Sequence, residues 1–233
     1  MKRIGLVGGM TPESTTAYYQ RLINLGRERW GDPVHNPVVL IYSIDLAEMV
    51  AHQDVGDGDK VVDLLADVLE KLRGAGAEVG ALTANTPHIF FERIRTATNL
   101  PLVSIVDTTL EVARKLGVGR ALLLGTKATM EGPMYPKAFA GCGIEIVIPT
   151  EDDREFINHS IYVDLAAGKV TPELRRRYQE ICHNQIEDNG VEAVILGCTE
   201  IPMVLSADDC SVPLIDTARC HAEAIFRYAV DET

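Results

Sequence analysis

The sequence predicts an α/β protein of two similar domains, each a short parallel sheet flanked by helices, related by pseudo-twofold symmetry. Short β-branched or apolar runs alternate with longer stretches of helical periodicity, which is the pattern of βαβ units. One phrase also occurs twice: Gly76-Ala-Glu78-Val-Gly-Ala-Leu82-Thr83-Ala84-Asn85-Thr86 and Gly190-Val-Glu192-Ala-Val-Ile-Leu196-Gly197-Cys198-Thr199-Glu200. Residues 76, 78 and 82 correspond to 190, 192 and 196, a constant offset of 114 without a gap. Finally, 233 residues leave room for two domains of roughly 100–130 residues, each large enough to bury a core.

Taken in order, the first half predicts a strand over 3–7, a helix over 12–29, a strand over 37–43, a helix over 59–75, a strand over 79–82, a helix over 88–97 and a strand over 102–105. The segment 45–59 has no clear period. The second half predicts strands over 120–124, 145–148, 193–196 and 213–215, with helices over 129–140, 151–167, 172–189 and 217–230. Each half thus has four strands. Thr11-Pro12-Glu13 and Thr171-Pro172-Glu173 mark helix starts, a capping hydroxyl followed by proline at the first helical position. The expected domains are 1–106 with a returning 209–233, and 107–208, since chain ends tend to lie close together.

Composition narrows the function. With 46% hydrophobic and 24% charged residues the chain is an ordinary globular protein. A net charge of −12 argues against a nucleic-acid partner, which needs clustered cations to displace counterions. No apolar run approaches the ~18 residues of a membrane span, and the start lacks a cleavable-signal pattern, so no membrane association and a cytoplasmic location are expected. Five cysteines without CxxC spacing indicate neither a disulfide framework nor a metal cluster. Cys182-His183 and Cys220-His221 stand in helical stretches, where neighbours diverge by about 100°, and are structural rather than metal-ligating.

Three turns at predicted strand ends carry chemistry, because ligands of open parallel sheets bind at the carboxyl ends of strands. Gly8-Gly9-Met10 precedes a helix start and lacks the spacing of a dinucleotide site. It is either a tight turn or a place where a carboxylate approaches the backbone. Asn85 and Thr86 offer an amide and a hydroxyl to a carboxylate, and both are also ordinary helix caps. Cys198 lies in a polar turn between Gly197 and Thr199-Glu200, where a thiol can donate or accept a proton.

Together, Gly8-Gly9-Met10-x-Pro12-Glu13-Ser14-Thr15, Asn85-Thr86-x-His88, Leu124-Gly125-Thr126 with Thr129, and Gly197-Cys198-Thr199-Glu200 resemble the cofactor-independent aspartate/glutamate racemase family along essentially the whole chain. The resemblance implies two like domains that hold an amino acid between two cysteines, one removing the α-proton and the other supplying one. It also implies no cofactor and a homodimer. Cys198 matches the second cysteine. The first falls at Ala84, which cannot move a proton. Thr83 is the nearest replacement, although strand alternation and a weakly acidic hydroxyl count against it. His88 and an ordered water are others. By the same resemblance Met10, Gln53, Asn85, Thr86, Thr126, Thr199 and Glu200 are expected to contact substrate.

The expected activity is racemisation of a small acidic amino acid of the aspartate/glutamate class, independent of pyridoxal phosphate, with Cys198 as acid/base on one face. The alternatives are a one-thiol decarboxylase or cis-trans isomerase of the same superfamily, and a silent amino-acid-binding paralogue.

Overall fold

The computed structural model describes residues 1–54 and 58–230. The chain divides into two compact units, Met1–Ile105 together with the chain from His221 onward, and Val106–Cys220. The elements run β1 (Ile4–Gly8), α1 (Pro12–Trp30), β2 (Val39–Ser43), α2 (Leu46–Asp54), α3 (Gly58–Gly74), β3 (Val79–Leu82) and α4 (Phe91–Ala97). They continue through α5 (Ile105–Leu116), β4 (Arg120–Leu124), α6 (Lys127–Glu131), α7 (Met134–Ala140), β5 (Glu145–Val147) and α8 (Glu151–Val163). The last are α9 (Pro172–Asn189), β6 (Ala193–Leu196), β7 (Leu214–Asp216) and α10 (Thr217–Val230).

Both sheets are parallel, in the orders β2-β1-β3 and β5-β4-β6-β7. They share one plan. β1 pairs with β2 and β3 as β4 pairs with β5 and β6, and the offset of 114 that relates the repeated phrases carries β3 onto β6. Gly80 bridges Leu102, and the corresponding Val194 pairs with Leu214.

The expected fourth strand of the first sheet shrinks to that single bridge. Gly80 N–H donates to Pro101 O and Val103 N–H to Gly80 O, at 2.8 and 3.1 Å. Pro101 has no N–H to extend the ladder, and the backbone enters α5 at Ile105. The run Val103-Ser-Ile-Val-Asp-Thr-Thr109 is β-branched and extended in appearance. Burial of Ile105, Val106, Thr109 and Ala113 on one side of α5 overrides that local preference. Residues 46–54, expected to be irregular, form α2, started by Asp45 Oδ1 accepting from Ala47 N–H at 3.0 Å. Helices expected over 129–140 and 151–167 are each interrupted, the first at Gly132-Pro133 and the second after Val163, ahead of a 3₁₀ turn over Leu165–Ala167.

The strands β1, β3 and β6 are buried along their whole length. In the first unit Val61, Leu65, Leu69 and Leu72 of α3 recur at helical spacing and close a core with Val7, Met10, Ile44, Met49, Leu82 and Ile94. Thr11 caps α1 by accepting from Ser14 N–H at 3.2 Å, and Thr171 caps α9 by accepting from Leu174 N–H at 3.1 Å.

Two buried histidines join the C-terminal helix to the first unit. His88 Nδ1 lies 2.8 Å from Ala84 O and Nε2 3.2 Å from Ile105 N, so Nδ1–H donates and Nε2 accepts. His221 Nε2–H donates to Val103 O and Nδ1 accepts from Tyr18 O–H, both at 2.9 Å. The rings meet edge to face at 5.8 Å. Burial lowers His88 to about 3, with the neighbouring His221 adding to the shift, and burial lowers His221 to about 4.

Both rings are neutral in the fold while their unfolded counterparts take up a proton below about pH 6.5, so acid favours the unfolded chain. Unfolding free energy is expected to fall between pH 7 and pH 5 by roughly 2 kcal/mol for each ring. Urea unfolding at the two pH values measures this. A midpoint that is unchanged or higher at pH 5 contradicts the neutral pair.

Candidate active site

In the first unit the candidate site residues other than Gln53 lie just beyond β1 and β3. A Cβ at Gly8 would stand 2.4 Å from Thr15 Cγ2. At Gly9, whose φ is +86°, a Cβ would fall 2.2 Å from Ile44 O. Gly9 N–H donates to Thr15 Oγ1 at 2.9 Å, and that hydroxyl donates to Thr11 O at 3.0 Å. The glycine pair therefore serves close packing, and its second N–H is already engaged. Met10 is buried in the apolar cluster of this unit. Gln53 falls within α2, and its side chain lies outside the described residues.

At the end of β3 both the N–H and the hydroxyl of Thr83 donate to Val7 O, each at 3.1 Å. Ser14 Oγ donates to Thr83 O. Thr83 is completely buried, and its proton is committed to a main-chain carbonyl. In this arrangement the hydroxyl pins the strand end. Ala84 is half-buried against the same apolar cluster, which gives this position an apolar backing. His88 is likewise spent, holding Ala84 O and Ile105 N–H with its two nitrogens. Asn85 is buried at the start of a 3₁₀ turn over Thr86–Phe90, its carbonyl accepting from His88 N–H at 2.9 Å, and Thr86 is half-buried.

The second unit repeats the backbone device with different side chains. Gly197 N–H donates to Leu124 O at 2.7 Å, the counterpart of Thr83 N–H on Val7 O. A Cβ on Gly197 would stand only 2.7 Å from that same oxygen, and one on Gly125 would be 3.1 Å from Gly197 O. The two loops thus touch backbone to backbone. Thr126, at the end of β4, caps α6 by accepting from Thr129 N–H, and the two hydroxyls are 3.1 Å apart.

Cys198 is the first residue beyond this contact. Its thiol donates to Glu200 Oε2 at 2.8 Å, and Thr199 Oγ1 donates to the same oxygen at 2.8 Å. Glu200 is 5% exposed and Cys198 is half-buried. Burial, followed by the Glu200 charge, pushes the thiol well above its ordinary range, while the N–H groups of Glu200 and Thr199 pull the other way. At neutral pH the group is a thiol with a carboxylate placed to take its proton. Cys198, Thr199 and Glu200 therefore form one hydrogen-bonded cluster at a strand end. The side chain that sequence reasoning missed is Tyr162 on α8, largely exposed, whose hydroxyl is held above its ordinary range by partial burial and by Cys198 and Glu200. It lies 36 positions before Cys198, with no motif to mark it.

Among the described residues no group of three or more His, Cys, Asp or Glu side chains is arranged to hold a metal ion, and no helix is long and apolar enough to cross a membrane.

Residues 7–225 match the sequence model of the Asp/Glu/Hydantoin racemase family. The broad specificity amino-acid racemase RacX of Bacillus subtilis (strain 168) is 27% identical over 226 residues, 95% of each chain. A candidate Asp/Glu racemase from Yersinia pestis superposes with a TM-score of 0.93 at 36% identity, covering 99% of this chain and 100% of that one. An aspartate racemase homologue from Pyrococcus horikoshii OT3 does so with a TM-score of 0.88, also at 36% identity and the same coverage. With its thiol–carboxylate turn at a strand end and this match along its length, the chain belongs to the Asp/Glu/Hydantoin racemase family.

Proposed function

We propose that the protein is a racemase of a small acidic amino acid, independent of pyridoxal phosphate, in which Cys198 moves the α-proton on one face of the substrate. The observation that carries this reading is the hydrogen bond from the Cys198 thiol to Glu200 at the carboxyl end of β6. Transfer of the thiol proton to Glu200 makes a thiolate, the form that can remove a proton from Cα. The resulting thiol can then return a proton to the carbanion. Thr199 holds the same carboxylate oxygen and so orients the base. Asn85, Thr86 and Thr126 supply the polar groups proposed to hold the substrate, and the names of RacX and of the aspartate racemase homologue support an amino acid as that substrate.

Ala84 has no proton to give, so in this reading solvent serves the other face. Deuterium from D₂O is expected to enter the α-position of one enantiomer faster than that enantiomer racemises. Cys198→Ala is expected to reduce exchange by roughly 10²–10⁴-fold, the usual worth of a positioned acid/base. Proton NMR of aspartate and glutamate enantiomers follows both processes. Unlabelled substrate after long incubation with the intact protein would refute the proposal.

Ala84→Cys is expected to raise racemisation relative to exchange, bringing the two rates together. A rate of racemisation unaffected by the new thiol, in a variant that melts like the parent, counts against Ala84 as the site of the missing donor. The apolar backing of Ala84 also supports a second reading, a one-thiol decarboxylase or cis-trans isomerase that needs protonation on one face only. Release of CO₂ from substituted malonates, or conversion of maleate, without amino-acid exchange would select it.

The Glu200 carboxylate raises the Cys198 thiol, so its removal must lower it. In Glu200→Gln the pH at which iodoacetamide alkylation of Cys198 is half-maximal is expected to move down, while proton exchange slows because the base is gone. Peptide mass spectrometry across a pH series reads the first, and an upward movement would contradict the charge interaction.

A further inference from the structure

Away from the Cys198 turn, a second pair of cysteines is brought together by a clamp on α9. The loop after β6 makes a 3₁₀ turn over Ala207–Asp209 and is laid along the helix by Asp209. One Asp209 oxygen accepts from Ser206 N–H at 2.7 Å, Ser206 Oγ at 2.6 Å and Arg175 Nη1 at 2.7 Å. The other accepts from Gln179 Nε2 at 2.6 Å. Arg175, Gln179 and Cys182 are spaced by four and three residues and share one face of α9. A loop fastened to the first two at Asp209 therefore delivers the next residue, Cys210, to the third. The side chains interact, which holds the Cys210 thiol below its ordinary range and, together with burial, the Cys182 thiol above it. Cys182 is buried and Cys210 half-buried, so the accessible sulfur of the pair is also the more readily ionised one.

We propose that Cys182 and Cys210 form an oxidation site in which Cys210 reacts with a peroxide and Cys182 resolves the product as an intramolecular disulfide. In the first step the Cys210 thiolate attacks one peroxide oxygen, the O–O bond breaks, and hydroxide leaves with the proton balance made up by solvent, giving a sulfenic acid. In the second step the Cys182 sulfur attacks the Cys210 sulfur, the S–O bond breaks and water departs. Overall two thiols and one hydrogen peroxide give one disulfide and two waters. Cys198 differs, because its carboxylate neighbour disfavours the thiolate. Exposed Cys142 lacks a cysteine partner among the described contacts.

The test is treatment of the reduced full-length protein with a small excess of hydrogen peroxide, followed by alkylation and peptide mass spectrometry. The expected product is two hydrogens lighter, joins the Cys182 and Cys210 peptides, and reverts with dithiothreitol. In Cys182→Ser, dimedone is expected to label Cys210 several-fold more than in the parent, and in Cys210→Ser no label is expected on Cys182. Independently of either variant's folding, iodoacetamide should alkylate Cys210 of the reduced parent several-fold faster than Cys142 at pH 7. Alkylation of Cys210 no faster than Cys142, or peroxide oxidation that leaves both thiols of the pair free, overturns the proposal.

Discussion

Both strand-end turns, at Ala84 and at Cys198, hang on one backbone hydrogen bond, made once in each unit. The N–H of Thr83 reaches Val7 O and the N–H of Gly197 reaches Leu124 O, each extending a parallel ladder one residue past the strand. The next residue is then the first to leave the sheet, and its side chain starts from the strand's carboxyl end, where parallel sheets bind ligands. In one unit that residue is Ala84 and in the other Cys198. The bond tolerates no compromise at Gly197, whose added Cβ would collide with the accepting oxygen itself. At Thr83 the side chain is accommodated and bonds to the same carbonyl, so the hydroxyl reinforces the bond on which the position depends.

The supports behind the two turns follow from this constraint. On the first unit, the carbonyl of Ala84 is taken by His88, whose other nitrogen accepts the first N–H of α5. Two polar main-chain groups that the sheet leaves unpaired are satisfied by one neutral ring. His221 does the same for Val103 O from the C-terminal helix. The cost of this arrangement is that both rings must stay unprotonated to hold. On the second unit, the polar demand is met by Glu200, which gathers the Cys198 thiol and the Thr199 hydroxyl on a single oxygen.

Much of this was legible from the sequence because the repeat is a backbone property. The constant offset set β3 against β6, and the strands over 79–82, 120–124 and 193–196 and the helices over 172–189 and 217–230 lie where periodicity and capping residues put them. What was not legible depended on long-range partners. The β-branched run before Thr109 looks extended until burial of Ile105 and Ala113 makes it α5. The hydrogen bond of the Thr83 hydroxyl to Val7 O, 76 positions away, has no local sign in the sequence. Tyr162 carries no local signature at all. The pairing of Cys182 with Cys210 needs the Asp209 clamp, which composition and cysteine spacing do not reveal.

The asymmetry between the two turns extends beyond a single missing thiol. By the offset of 114, Asn85 corresponds to Thr199 and Thr86 to Glu200. The carboxylate that serves Cys198 thus has a hydroxyl as its counterpart in the first unit. A thiol introduced at position 84 would have an apolar backing and no local carboxylate to take its proton. Such a thiol is suited to delivering a proton to a carbanion and poorly suited to starting the reaction by removing one. In the proposed racemisation, whose equilibrium constant is one, a thiol at position 84 that ionises poorly would hold down kcat/KM equally in both directions. Lifting that limit would also require a carboxylate at Thr86, so the unit of repetition that matters for the proposed chemistry is the whole turn from 84 to 86.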